Sequence, residues 1–291
     1  MIAGVFHQGS GLGNQLFRYV ATRVRATDLG VDWAMMYNPD DSGKEVGFKG
    51  ASFMNIGEWD KGLKPTIYKF DPIQSHFTEP APIRPEISHS IFIEKCARDE
   101  FGNDIRSYDP DFNFIEDNTM MDGEFQDERY FSHRLNKVDE WLKVEPIDIL
   151  DDTCVIGFRG GEFALYPDLF LTKDYWEEAI KMMREKGIKH FEVHTDDAPL
   201  AESFFSEIMP WTDYKVIHNI GVNWRSMRYA KYAIIANSSF FILPRLLRHF
   251  WQIMLGVVRD DAVTIAPRFW GRRNTKTWSL PQNYYRSFTY L

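Results

Sequence analysis

Four short loops of the chain carry residues whose types and spacing suit the binding of an anion or a sugar. Glycine-rich loops let backbone N–H groups approach a ligand, and an arginine binds phosphate through two parallel hydrogen bonds. Carboxylates accept hydrogen bonds from sugar and base groups, and the start of a helix attracts anions. The loops lie at residues 9–13, 159–161, 195–197 and 237–239.

The first loop has the spacing G-x-G-x-G rather than the G-x-G-x-x-G of dinucleotide sites. Gly11, Gly13 and Asn14 are its candidate ligand-binding residues, because a helix is predicted to begin there. The alternative is a tight turn that binds nothing. Asp32, about 20 residues further on, would suit a ribose in a nicotinamide-dependent oxidoreductase, although the glycine spacing counts against that function.

The second loop begins with Arg159, where an apolar run opens into Gly160 and Gly161. Ligands of parallel sheets lie outside the carboxyl ends of the strands, so we predict that Arg159 clamps a phosphate group and takes part in catalysis. Glu162, three positions on, is the candidate general base, or it orients Arg159. The alternative for Arg159 is a surface ion pair.

The third and fourth loops carry acids, hydroxyls and an amide. Asp196 and Asp197 are predicted to accept hydrogen bonds from ribose hydroxyls or from the N–H edge of guanine, and the alternative is a helix N-cap. Asn237, Ser238 and Ser239 are predicted to bind phosphate at a helix start, and the alternative is plain capping. Two adjacent acids without further partners are weak evidence for a metal site, so we predict none.

The elements that must position these loops follow from the apolar pattern. The run Ile2–Phe6, helical spacing over 16–24 and a second strand at 30–34 predict a βαβ-like start. The apolar residues of the stretch 38–122 show no sustained helical or strand periodicity. Residues 127–142 are predicted to form a helix.

The second half of the chain alternates strands with helices. Strands are predicted at Thr153–Phe158, 190–194, Tyr214–Ile217 and 262–266, a short buried segment at 233–236, and helices at 174–186, 199–209, 223–232 and from 237 through 246. This rhythm predicts an α/β protein whose parallel sheets are covered on both faces. The predicted linker, residues 143–148, divides the chain into domains 1–146 and 147–291, with a cleft between them.

Composition narrows the classes of function. The chain of 291 residues contains 34 Lys and Arg and 42 Asp and Glu, which gives a net charge of −8. This charge argues against a protein that binds nucleic acid through its overall positive charge. No apolar run of 18 residues and no signal peptide occurs, so we predict a soluble, cytoplasmic protein without a transmembrane helix. Cys96 and Cys154 form no metal-binding or disulfide pattern.

Six segments of the chain resemble, in order, motifs of the α-1,2-fucosyltransferase family (glycosyltransferase family 11). G-S-G-L-G-N-Q-L-F-R-Y is similar to the family's G-G-L-G-N-Q-x-F-x-Y, and I-I-A-N-S-S-F is similar to its I-I-A-N-S-[ST]-F. The segments lie at residues 9–19, 123–131, 155–163, 194–197, 234–240 and 263–270. Together they span nearly the whole chain.

The resemblance implies a GT-B-like fold with two Rossmann-like domains, 1–146 on the acceptor side and 147–291 for the nucleotide sugar. It implies inverting, metal-independent transfer of L-fucose from GDP-fucose to a sugar hydroxyl of a glycan, with no cofactor. The family's diphosphate-binding arginine maps onto Arg159. The serines at 238 and 239 map onto phosphate contacts, the acid at 196 or 197 onto the nucleotide, and the loop at 11–14 is implied to position donor or acceptor.

The sequence departs from the family around Arg159. Gly157 stands where the family has a histidine, Gly160 where it has a second arginine, and Glu162 where it has an aspartate. The family's S-W-W-G-A run after Phe240 is also absent. These departures leave two alternatives open: a glycosyltransferase that uses another nucleotide sugar, and a protein that binds a glycan or nucleotide without turnover.

Overall fold

The computed structural model describes residues 1–7, 10–37, 48–50, 52–54, 56, 69–71, 76–78, 90–98, 104–254, 262–273, 277–279 and 285–291. The chain forms two compact units, unit 1 (Met1–Lys143) and unit 2 (Val144–Leu291). The division falls within the segment 143–148 that the sequence predicts as the linker. Among the described residues, no helix combines the length and the apolar character needed to cross a membrane.

Unit 1 is built on a four-stranded parallel sheet. Its elements are β1 (Ile2–Phe6), α1 (Leu12–Leu29), β2 (Trp33–Tyr37), β3 (Lys69–Asp71), β4 (His76–Thr78), β5 (Ser90–Ile93), β6 (Cys96–Arg98), β7 (Asp104–Arg106), β8 (Thr119–Asp122) and α2 (Leu135–Trp141), with 3₁₀ turns at Pro110–Phe114, Glu128–Tyr130 and Ser132–Arg134. The parallel strands lie in the order β2-β1-β8-β5, and β3-β4 and β6-β7 are antiparallel pairs.

The predicted βαβ start is confirmed, with one shifted boundary. The apolar face of α1 is buried as its helical spacing predicts. Gly30 ends α1 in the left-handed region, at φ 68°, where its N–H bonds to the last carbonyls of the helix. The second strand therefore begins at Trp33, and its prediction at 30–34 is three residues too early.

The prediction of one helix over 127–142 is wrong in its first half. The Asp127 carboxylate accepts a hydrogen bond from the Arg129 N–H at 2.9 Å and pairs with the Arg129 guanidinium. This local bonding competes with α-helical bonding, so the chain forms two 3₁₀ turns. Only α2 is an α-helix.

Unit 2 is built on a six-stranded parallel sheet. Its elements are β9 (Thr153–Phe158), α3 (Lys173–Glu185), β10 (His190–Thr195), α4 (Ala198–Ser206), β11 (Tyr214–Ile217), α5 (Ile220–Tyr229), β12 (Tyr232–Ile235), α6 (Ser239–Met254), β13 (Val263–Ala266), β14 (Gly271–Arg273), β15 (Thr277–Ser279) and β16 (Thr289–Tyr290), with 3₁₀ turns at Gly161–Leu165 and Trp211–Asp213. The strands of the large sheet lie in the order β11-β10-β9-β12-β13-β16, and β14 and β15 form an antiparallel pair.

Counted within unit 2, the strand order of the large sheet is 3-2-1-4-5-6, which is the doubly wound Rossmann order. All the pairings are parallel. The order reverses between β9 and β12, and ligands of such sheets bind beside the carboxyl ends of the strands at that reversal. The prediction of an α/β fold with two Rossmann-like units is therefore confirmed.

Several elements of unit 2 differ from the sequence prediction. The helix predicted at 223–232 begins at Ile220, because the Asn219 side chain accepts from the Val222 N–H at 3.0 Å and caps it. The helix predicted to reach 246 continues to Met254 although it contains Pro244. The strand predicted last, at 262–266, is followed by β14, β15 and β16.

Candidate functional site

Three of the four predicted loops lie at the same edge of the unit 2 sheet. Arg159 directly follows β9, Asp196 directly follows β10, and Ser238 lies between β12 and α6. Because the three strands are parallel neighbours, their carboxyl ends meet at one edge. Arg159 and Ser238 therefore flank the point where the strand order reverses.

Arg159 is the central cation of this edge. Its Nη1 atom forms an ion pair with Oδ2 of Asp196, and its Nη2 atom lies 3.5 Å from Oε1 of Glu162. Its guanidinium carbon lies 5.1 Å from the centre of the Phe163 ring. Burial lowers the pKa of the Arg159 guanidinium and Glu162 opposes this, but an arginine stays charged at neutral pH. The side chain is 27% exposed, so a ligand can reach it.

The two adjacent aspartates have different partners. Oδ1 of Asp196 accepts from the Gly160 N–H at 2.9 Å, so this side chain holds the loop after β9 as well as Arg159. Oδ1 of Asp197 accepts from the Leu200 N–H at 3.1 Å and is the N-cap of α4. The capping alternative therefore holds for Asp197, while Asp196 lies against the candidate phosphate clamp.

Replacement of Asp197 by alanine is expected to lower the free energy of unfolding by about 1 kcal/mol, the usual value of an N-cap. Urea denaturation measures the loss. Asp197→Asn is the matched control, because asparagine also caps and should stay within a few tenths of a kcal/mol of wild type. Equal losses in both variants would show that the negative charge, and not the cap, stabilises this end of α4.

The loop before α6 is fixed by its asparagine. Nδ2 of Asn237 donates to the Leu169 carbonyl at 2.9 Å and to the Trp270 carbonyl at 2.6 Å. This side chain therefore ties two other segments to the end of β12. Ser238 is buried, its carbonyl accepts from the Phe241 N–H at 3.1 Å, and Ser239 is the first residue of α6.

Glu162 lies in the 3₁₀ turn after the arginine loop and is 67% exposed. Its 3.5 Å contact with Arg159 is at the limit of a hydrogen bond. The geometry fits the orienting role predicted for Glu162. Its role as general base stays a prediction.

Two glycines of this edge leave no room for a side chain. A Cβ atom on Gly157 would lie 2.7 Å from Cδ1 of Phe241 and 2.9 Å from Cε of Met227, and one on Gly160 would lie 2.8 Å from Cβ of Asp197. These are the positions where the fucosyltransferase motif has histidine and arginine. The neighbouring side chains already fill that space, so the packing at these two positions accommodates glycine and not the residues of the motif.

Gly157→Ala is expected to destabilise the protein by about 1–3 kcal/mol, because an added methyl group overpacks this part of the core. The double variant with Phe241→Leu should recover part of the loss, since a smaller side chain vacates the position that the methyl group needs. Denaturant unfolding of the two single variants and the double variant measures the coupling. Additive losses would contradict the steric explanation.

The first predicted loop belongs to unit 1, whereas the other three belong to unit 2. Gly11 is the N-cap of α1, with φ −66° and open space where a Cβ would lie. Gly13 is buried in the first turn of α1, and Oδ1 of Asn14 accepts from Nε2 of Gln126 at 3.1 Å. Gly9 lies outside the described residues.

Asp32 does not lie where a dinucleotide site needs its acid. Trp33, the first residue of β2, pairs with Ile2, so Asp32 lies at the amino end of the sheet. The glycine loop follows Phe6 at the carboxyl end, about four residues or 13 Å away along the strands. The ribose-binding role considered for Asp32 is therefore wrong.

Sequence reasoning missed a polar cluster at the carboxyl edge of the unit 1 sheet. His7 follows β1, Asp122 ends β8, and Nε2 of His7 lies 2.7 Å from Oδ1 of Asp122. Arg18 of α1 contacts both Asp122 and Glu124. The sequence signal that could have revealed this cluster is that His7 and Asp122 both stand at the ends of apolar runs. Among the described residues, no group of three or more His, Cys, Asp or Glu side chains is arranged to hold a metal ion.

Comparison with known proteins gives structural likeness without a family. No protein-family model matches the chain, and neither does any curated protein sequence. The Escherichia coli heptosyltransferase WaaC with ADP-2-deoxy-2-fluoro heptose is similar over 100% of this chain and 93% of its own, with 12% identity and a TM-score of 0.45. POFUT1 in complex with GDP-fucose is similar over 84% of this chain and 93% of its own, with 10% identity and a TM-score of 0.45. Fucosyltransferase NodZ from Bradyrhizobium is similar over 84% of this chain and 93% of its own, with 12% identity and a TM-score of 0.42.

Proposed function

We propose that the chain is a glycosyltransferase whose nucleotide-sugar donor binds at the carboxyl edge of the unit 2 sheet. One observation carries the proposal: Arg159 and the start of α6 flank the reversal of strand order in a doubly wound sheet. That position is where such sheets bind nucleotides. An arginine and a helix start together favour a diphosphate, which is the charged part of a nucleotide sugar.

Asp196 supports the phosphate-binding role of Arg159. Its carboxylate contacts Nη1 of the guanidinium, so an anionic oxygen fits against Arg159 at this edge. A diphosphate oxygen would replace the carboxylate oxygen at Nη1. The released Asp196 side chain could then accept hydrogen bonds from the ribose or base, as the sequence predicts.

The chemistry proposed for this edge is displacement at the anomeric carbon of the donor. The bond between that carbon and the diphosphate oxygen breaks, and negative charge develops on the leaving group. Arg159 stabilises this charge more strongly in the transition state than in the ground state. We further propose that a GT-B-like enzyme of this kind transfers L-fucose from GDP-fucose to a sugar hydroxyl of a glycan, with inversion and without a metal ion. This more specific proposal rests on the motif resemblance.

The packing around Gly157 and Gly160 favours a second candidate. Neither position has room for the histidine or arginine of the fucosyltransferase motif. A different nucleotide sugar, or binding of a nucleotide or glycan without turnover, fits this altered segment. The alternatives that bind a nucleotide or a nucleotide sugar keep the phosphate-binding role of Arg159.

A donor-consumption assay tests the proposed function. The protein is incubated in EDTA with GDP-fucose, GDP-mannose, UDP-glucose or ADP-heptose and a mixture of free glycans, and mass spectrometry follows nucleotide release and glycan mass. We expect one donor to be consumed in an acceptor-dependent manner, with GDP-fucose first. Consumption of another donor would support the second candidate, and consumption of none would contradict a transferase.

A further inference from the structure

A loop of unit 2, residues 160–169, runs along the carboxyl edge of the large sheet, and we call it the Tyr166 loop. At its start the Gly160 N–H donates to Oδ1 of Asp196, which follows β10. At its end the Leu169 carbonyl accepts from Nδ2 of Asn237, which follows β12. Because β9 lies between β10 and β12, the loop crosses the point where the strand order reverses.

The backbone of the Tyr166 loop is hydrogen-bonded along its length, while two of its apolar side chains are exposed. The Phe163 N–H donates to the Gly160 carbonyl at 2.9 Å, and the Tyr166 N–H donates to the Phe163 carbonyl at 3.0 Å. The Tyr166 carbonyl accepts from the Leu169 N–H at 2.8 Å. Leu165 is 76% exposed and Tyr166 is 56% exposed. A tyrosine ring on an ordered backbone offers a ligand a large contact area at a low cost in conformational entropy.

The strand order separates the nucleoside side of the proposed donor from its sugar side. The ribose or base is proposed to contact Asp196, at the end of β10. Because Arg159 at the end of β9 binds the diphosphate, the sugar of the donor extends to the other side of Arg159, towards β12. Tyr166 lies one turn before Leu169, whose carbonyl is held at the end of β12. Tyr166 therefore lies on the sugar side of the diphosphate.

The two aromatic rings of the loop differ in their distance from the phosphate clamp and in their exposure. The ring of Phe163 packs against the guanidinium of Arg159, where a sugar bonded to the diphosphate must lie. Tyr166 follows three residues later and is the more exposed of the two rings. A second sugar that arrives from solvent therefore meets Tyr166. The exposed carboxylate of Glu162, in the same loop, can accept hydrogen bonds from sugar hydroxyls.

We propose that Tyr166 binds the acceptor, with one face of the acceptor's pyranose ring stacked on the tyrosine ring. This inference rests on the proposed transferase function. The C–H groups on one face of a pyranose ring carry partial positive charge, and the face of an aromatic ring is negative, so the two faces attract. Leu165 extends the apolar surface beside the ring. The acceptor is therefore a glycan whose accepting sugar presents an apolar face.

Tyr166→Ala is expected to raise KM for the glycan acceptor about 10-fold, the effect of losing one stacked ring, and to leave kcat at saturating acceptor nearly unchanged. Steady-state kinetics use the donor and the glycan that the consumption assay identifies. Tyr166→Phe keeps the ring and should retain the wild-type KM. The Tm of the free variant, and the shift that the donor's nucleotide causes, should equal those of the wild type, because the ring is exposed and lies away from the nucleoside.

Trp211→Ala is the matched control. Trp211 is 81% exposed and lies in the 3₁₀ turn that leads into β11, at the amino edge of the same sheet. This variant should keep the wild-type KM for the acceptor. An unchanged acceptor KM in Tyr166→Ala would overturn the role of Tyr166 and leave the proposed function intact. A smaller Tm shift with the nucleotide, or a rise in KM for the donor alone, would also overturn it, because the ring would then contact the donor. Absence of transfer in the wild-type protein, with every donor, would overturn both proposals.

Discussion

Arg159→Ala is expected to lower kcat for sugar transfer by about 10²-fold or more, comparable to the loss of one preorganised donor in an oxyanion site. The guanidinium is the cation at the carboxyl end of β9, where the leaving diphosphate is proposed to lie. Of the two groups proposed to contact the diphosphate, the helix start of α6 then remains. Steady-state kinetics with the donor identified by consumption measure the effect.

Two variants make the Arg159 result specific. Arg159→Lys keeps the charge but loses the planar fork, so it should recover only part of the activity. Arg184→Ala removes another arginine of unit 2 that pairs with an aspartate, since Nη2 of Arg184 lies 2.7 Å from Oδ2 of Asp213. Arg184 lies in the last turn of α3, and its loss should leave transfer unchanged. A near-normal rate in Arg159→Ala would remove Arg159 from the mechanism.

Arg245→Met is expected to lower the free energy of unfolding by about 3–5 kcal/mol, because several buried acceptors lose their donor. The Arg245 side chain is fully buried in α6. It donates to Oγ1 of Thr264 at 2.8 Å and to the carbonyls of Met227, Ala230, Lys231 and Val263 at 2.9, 2.7, 3.4 and 3.4 Å. Two of these carbonyls lie at the end of α5, where a cation also favours the helix dipole.

Arg248→Met is the control for this stability prediction. Arg248 lies one turn further along α6, and its Nε donates to the Ala230 carbonyl at the longer distance of 3.3 Å. Its replacement should cost less than about 1 kcal/mol. Denaturant unfolding followed by circular dichroism compares the two variants. Equal losses would show that Arg245 stabilises the protein no more than a half-buried arginine on the same helix.

Much of the fold was predictable because the buried strands are short apolar runs. Ile2–Phe6 and Thr153–Phe158 lie in sheets covered on both faces, so they read as continuous apolar segments. The mispredicted boundaries at Asn219, Asp127 and Gly30 depend on side-chain hydrogen bonds and on a left-handed glycine. These are local contacts, which apolar periodicity does not reveal.

The sequence predicts those site residues that directly follow a recognisable strand. It does not predict contacts between residues that lie far apart in the chain. Arg159 and Asp196 lie at strand ends that the sequence locates, and they prove to be partners. The His7–Asp122 contact joins residues 115 positions apart, so no local pattern reveals it. Asp197 satisfied the alternative of capping, which the sequence could not separate from ligand binding. Asn237 instead donates to the carbonyls of Leu169 and Trp270, a role that the sequence did not predict.

A thermal-shift panel tests the central claim, that unit 2 binds a nucleoside diphosphate at the arginine edge. The panel contains GDP, GDP-fucose, UDP, ADP, CMP and NAD, each with EDTA and with Mg²⁺, on the wild-type protein and on Arg159→Ala. A ligand at about 100 times its Kd stabilises a protein by about 2.7 kcal/mol, which is readily detected. We expect GDP and GDP-fucose to raise Tm without Mg²⁺ in the wild type and much less in the variant. No shift with any nucleotide, or an equal shift in both proteins, would contradict the claim.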